Sequence, residues 1–173
     1  MFTYGLVFVE YRHSILFRVM AEHSPLSGEQ VGAWAAFLGA HTLIERAVER
    51  YLHQHAGVSH AEYEILARLR TVPEHRLRMG ELATRLFSPG SRLNYRITRL
   101  AGLGLVRREQ HPTDRRGLFA VLTGQGVAFV DRVSPGYFGT VSQIMLTPLN
   151  EGEFAELGWL SQRIFQHLRD DPG

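Results

Sequence analysis

Between Leu105 and Leu122 the apolar residues leave their three- and four-residue spacing and begin to alternate, and after Thr123 the longer spacing returns. This local change of period constrains the fold more than any other feature. A helix repeats every 3.6 residues and a strand every two, so the pattern predicts one small β-hairpin set among helices. Leu105 to Gln110 and Leu118 to Leu122 are its strands, joined by HPTDRRG, whose Pro, Asp and Gly suit a hairpin loop.

The helices are punctuated by capping signals. Ser27-Gly28-Glu29-Gln30 has the form of a capping box and opens a run to about His55, with Val31, Trp34, Ala35, Leu38, Thr42, Val48 and Leu52 at helical steps. Gly57 ends it, and Ser59-His60-Ala61-Glu62 starts a shorter helix through Tyr63, Leu66 and Leu69 that Pro73 stops. In RLRMGELATRL, Met79, Leu82, Ala83 and Leu86 mark a third helix. Ser88-Pro89-Gly90 is a turn in which Ser88 is the expected N-cap and Pro89 sits in the first helical turn. A fourth helix, SRLNYRITRLAGLG, ends at Gly102 or Gly104. Beyond the hairpin, a helix from Thr123-Gly124 runs toward Pro135-Gly136, and its pattern resumes through Tyr137, Val141, Ile144 and Met145. Asn150-Glu151-Gly152-Glu153 caps a last helix bearing Phe154, Leu157, Leu160, Ile164 and Leu168. The fold class expected is mainly α with a small β-hairpin.

Residues 1–27 stand apart. They are apolar enough to suggest a signal peptide, but no basic residue precedes the apolar part, Glu10, Arg12 and His13 interrupt it, and no cleavage site follows. The segment is either an extra docking helix or strand, or an over-extended start with initiation at Met20. No charge-free stretch is long enough to span a bilayer, so no membrane partner is expected and the protein is read as cytoplasmic.

Composition excludes several chemistries. With no cysteine there is no disulfide framework, thiolate metal site or thiol switch. All 19 basic residues are arginine, which excludes a Schiff-base or Walker lysine and leaves planar guanidinium forks for any phosphate contact. The net charge of +2 is unevenly spread. Residues 68–116 hold twelve arginines against four acids, a charge of +8, and the remainder carries −6. A one-sided distribution of this kind is the footprint of a polyanion-binding lobe.

The fourth helix lies inside that lobe. On a helical wheel Leu93, Ile97 and Leu100 share a narrow sector that faces the core. The opposite sector holds Ser91, Arg92, Tyr95, Thr98 and Arg99, with Arg96 at its flank. Guanidiniums, hydroxyls and a phenol on one face suit base edges and phosphates. Directly after this helix, Arg107 and Arg108 lie on the first strand, and Arg115 and Arg116 near the hairpin tip. An arginine at such a tip suits the narrow minor groove. Asp114 beside them either orients a neighbouring guanidinium or makes an Asx turn.

MGELATRL, then SRLNYRITRLAGLGLVRR, then Asp114 and Arg116 followed by Leu122-Thr123, resemble the MarR family of bacterial transcriptional regulators, whose Asp-x-Arg-x5-Leu-Thr signature is matched at each fixed position. The resemblance is carried by residues 57–128 and, by helix layout, by 28–56 and 129–169. It implies a winged helix-turn-helix in a homodimer, with residues 28–56 as a dimerisation helix, 57–123 as the DNA-binding lobe and 124–170 as C-terminal dimerisation helices. It implies further that Asp114 orients Arg116, which enters the minor groove, and that Ser91 to Gly102 is the recognition helix. The long helices also present more apolar positions than one winged helix can cover, and that points to self-association. Two recognition helices set one DNA turn apart, about 34 Å, would read a palindromic duplex. The partners expected are therefore double-stranded DNA and a second copy of the chain.

The resemblance implies a small aromatic or anionic effector, for which Trp34, His41, Phe87 and Tyr95 are the candidate wall residues. His41, His53, His55 and His60 lack the spacing of a ligand set, so no metal is expected, and no motif calls for a cofactor. Catalysis is not expected either. There is no nucleophile elbow or phosphate loop, and Glu62 and Glu64 point to different helix faces. The alternative to a repressor-like regulator is a dimeric ligand- or protein-binding module without productive DNA recognition.

Overall fold

The computed structural model describes residues 25–110, 114 and 117–170. The elements in chain order are α1 (Gly28–Ala56), α2 (His60–Arg70), a short 3-10 turn (Pro73–His75), β1 (Arg76–Arg78), α3 (Met79–Arg85), α4 (Gly90–Gly102), β2 (Val106–Gln110), β3 (Leu118–Leu122), α5 (Gly124–Leu146) and α6 (Glu151–Asp170). The chain divides into two compact units, Met1–Ala47 and Val48–Gly173. The expectations for residues 1–24 lie outside the described residues.

Helix starts follow their local chemistry. The Ser27 amide donates to Gln30 Oε1 at 2.8 Å, and the Gln30 amide to Ser27 Oγ at 3.3 Å. Ser59 and Glu62 form the same reciprocal pair at α2, and Asn150 and Glu153 at α6. Each satisfies backbone donors that a helix start otherwise leaves unpaired. Gly57, at φ 67, takes the left-handed conformation that closes α1.

In the first unit Val31 and Ala35 are buried, while Trp34 and Phe37 stack at 5.9 Å and remain partly exposed. The second unit holds a continuous core of Val48, Leu52, Leu66, Leu69, Leu82, Leu93, Ile97, Leu100 and Leu122. Its sheet has strand order β1-β3-β2, antiparallel throughout, with Leu77 opposite Ala120 and Arg108 opposite Ala120 on the other side. Thr123 closes the wing onto α5: its hydroxyl accepts from the Gly126 amide at 3.0 Å and donates to Gly104 O at 2.7 Å.

Three sequence expectations need correction. Arg76 to Arg78 form a strand, so the hairpin is part of a three-stranded sheet. Three residues are too few to display alternation, and pairing with β3 is what makes them a strand. Ser88 is not the cap of α4. The helix begins at Gly90, with Pro89 as an N-cap lacking any side-chain bond, and the Ser88 amide instead donates back to Ala83 O at 3.0 Å. Pro135, finally, does not interrupt the helix after the hairpin, because α5 runs unbroken from Gly124 to Leu146. The proline lacks only the amide that would reach Asp131 O, and the hydroxyl of the preceding Ser134 bonds Val130 O at 2.7 Å.

Candidate nucleic-acid interface

Helices α3 and α4, joined by four residues, make a helix-turn-helix followed by the β2–β3 wing. Leu93, Ile97 and Leu100 are buried and fix which face of α4 turns outward. Ser91, Arg92, Tyr95, Thr98 and Arg99 are exposed on the other side, and Arg96 is half-buried. Tyr95 leaves 73% of its surface open to solvent.

The arginines divide by what they touch. Arg92 makes no ion pair or hydrogen bond among the described residues. Arg96 reaches back to the Ser88 hydroxyl at 3.4 Å. Arg99 is bonded to the lobe's own surface, its Nη1 on Glu62 Oε2 and its Nη2 on Gly57 O at 2.9 Å. The Glu62 carboxylate, through this hydrogen bond and through its charge, raises the Arg99 pKa above its ordinary value.

On the wing, Arg108 reaches across from β2 to α4 and donates to Thr98 Oγ1 at 2.8 Å and Asn94 O at 3.1 Å. Arg107 pairs with Glu109 on its own strand. Asp114 lies 3.9 Å from the Arg78 guanidinium of β1. Arg115 and Arg116 lie outside the described residues.

The expected ligand walls are dispersed. Tyr95 lines an open cleft of about 590 Å³ together with His53, Ser59, Glu62, Ser91, Arg92, Arg96 and Arg99. Phe87, with a left-handed φ of 49 in the helix-turn-helix turn, packs edge-on against Phe165 of α6 at 5.4 Å. Trp34 stacks on Phe37, and His41 is exposed on α1. His60 bonds the Tyr137 hydroxyl at 3.2 Å and takes Glu49 on its amide at 2.6 Å.

Two contributors escaped the sequence reading. Glu62 carried a visible signal as the last residue of a capping box, but its partner Arg99 is 37 positions away. Asn94, whose carbonyl receives Arg108, falls at the edge of the polar sector and could have been found there.

A short helix, a turn, an outward-facing polar helix and an arginine-bearing wing define a winged helix-turn-helix regulator. Comparison with known proteins agrees. A MarR family model matches residues 56–117. The structure of Sco3205, a MarR family transcriptional regulator from Streptomyces coelicolor solved in complex with DNA, superposes with a TM-score of 0.80 at 35% identity, covering 84% of this chain and 92% of that one. The HTH-type transcriptional regulator PecS of Dickeya dadantii is 31% identical over 127 residues, covering 73% of this chain and 75% of PecS. The HTH-type transcriptional repressor YetL of Bacillus subtilis is 27% identical over 140 residues, 79% of this chain and 84% of YetL. The chain belongs to the MarR family and is a transcriptional regulator, not an enzyme. No helix among the described residues is long and apolar enough to cross a membrane.

Proposed function

We propose that the protein is a homodimeric repressor that binds a palindromic operator, with α4 in the major groove and the wing arginines Arg115 and Arg116 in the adjacent minor groove. The observation that carries this reading is the division of α4: a buried Leu93-Ile97-Leu100 stripe backed by exposed Arg92 and Tyr95. Ser91, Arg92 and Tyr95 are the groups left to read base edges, and Arg96 and Thr98 flank them. Arg107 and Arg108 border the wing, and Asp114 sets the direction of its tip. Repression takes support from the name of YetL.

Residues 28–56 and 124–170 form the dimer around the DNA-binding lobe of residues 57–123. On α6 no residue is buried, and Leu160, Ile164 and Leu168, which share one face, are 42%, 54% and 66% exposed. A 20-residue helix with an open apolar stripe requires a covering surface, and a second copy supplies one. A small effector bound in the cleft beside Tyr95, whose volume of about 590 Å³ is within the ordinary range of ligand sites, would shift the population of DNA-competent dimers. Trp34, His41 and Phe87 remain candidate walls of an effector site.

The deciding experiment is a gel shift on an operator selected by the protein from a random duplex library. Arg116→Ala should weaken binding at least tenfold, the scale of about 1.4 kcal/mol, with the dimer intact by light scattering. Unchanged affinity would remove the wing from the interface. Failure to select any duplex would favour a binding module without DNA recognition.

A further inference from the structure

Arg99 occupies the DNA side of α4, yet its guanidinium is committed within the protein. It spans from Glu62 Oε2 to Gly57 O and thereby ties the recognition helix to the corner between α1 and α2. The two ends of this tie differ. The Arg99 side chain is 43% exposed, whereas that of Glu62 is only 4% exposed. Glu62 Oε2 also accepts the Ser59 amide at 2.8 Å as part of the α2 cap. A buried carboxylate has given up its water, and the guanidinium is the counter-charge that replaces it. If Arg99 swung out to a phosphate, it would leave that carboxylate buried without a cation. The burial of Glu62 therefore holds Arg99 in place.

We propose that Glu62 is a specificity-determining residue of the DNA-binding lobe, which withholds Arg99 from phosphate and fixes the setting of α4. The inference rests on the DNA-binding reading given above. A phosphate contact strengthens binding to every sequence alike, because it acts through counterion release. Keeping one arginine out of that pool lowers affinity for random DNA and leaves discrimination to Arg92 and Tyr95. The fork also holds α4 at one angle to the start of α2, so that base-reading groups arrive in register. Glu62 is a positioning residue, acting through Arg99.

Glu62→Gln tests this directly, since its amide oxygen can still accept the Ser59 amide while the charge that holds Arg99 is gone. Binding is measured against salt on two probes, the selected operator and a random-sequence duplex. On the random duplex the slope of log K against log salt should steepen by about 0.9, and affinity at 0.15 M salt should rise about fivefold. The ratio of operator to random affinity should fall. Arg99→Gln in the wild-type background should leave the slope unchanged. The double variant Glu62→Gln/Arg99→Gln should return the slope to the wild-type value.

A slope that Glu62→Gln does not move overturns the proposal. So does a slope made shallower by about 0.9 in Arg99→Gln, which would place Arg99 on phosphate. Should Glu62→Gln fail to fold by circular dichroism, Arg99→Gln decides alone by the same criterion. Wild-type protein that binds neither probe overturns the DNA-binding reading itself, before any variant is compared.

Discussion

Side chains on the outward face of α4 carry unequal duties although they look alike in sequence. Arg92 is uncommitted, Arg99 is tied to a buried carboxylate, and Arg108 of the wing braces α4 through Thr98 and Asn94. Replacing Arg92 with Ala should cost about 1–3 kcal/mol on the operator and change the base preference, as read by repeating the selection with the variant. Equal losses on all sequences would reassign it to phosphate. Ser59 is structural by contrast. Ser59→Ala removes the side chain that accepts the Glu62 amide at 3.2 Å and should lower stability by about 1 kcal/mol in a thermal melt. Of the acceptors for Arg99, Glu62 was visible in the sequence only as a cap. The chemistry that joins cap to guanidinium depends on folding, and no local pattern encodes it.

Elements were legible where their ends are written locally. The caps at Ser27, Ser59 and Asn150 announced three helix starts because each pair of groups lies three residues apart. The face of α4 was legible too, since Leu93, Ile97 and Leu100 follow one helical stripe. Strand β1 was not, because it exists only through its pairing with β3. Nor was the start of α4, where Phe87 in a left-handed conformation sets the turn and Ser88 bonds backward. These differences predict where substitutions hurt. Ile97→Ala, at a site with no solvent exposure, should destabilise the lobe by about 2–5 kcal/mol in chemical denaturation. Thr98→Ala should change stability little, yet loosen the Arg108 brace and weaken operator binding in the gel shift.

For the molecule as a whole, the charge imbalance read from the sequence falls on the lobe that holds the helix-turn-helix and wing, and uncovered apolar surface lies on α1 and α5 as well as along α6. An Ile164→Glu substitution places a charge in that stripe. The expected result is a shift from dimer to monomer by light scattering at micromolar concentration, with helical content retained. A dimer that persists would move the interface elsewhere.

Where α1 crosses α5, a side chain of any size at position 136 would place its Cβ 1.8 Å from the Tyr51 hydroxyl. The Tyr51 ring is also stacked on His55 at 4.5 Å, so a side chain at 136 would have to push the ring off that stack. The ring at 51 and the missing side chain at 136 are therefore matched to each other. In a genetic screen Gly136→Ala should score as loss of function, and smaller residues at 51 should emerge as its second-site suppressors. Lineages that descend from such a chain should trade the ring and the glycine together, so that the crossing leaves a mark in inheritance as well as in shape.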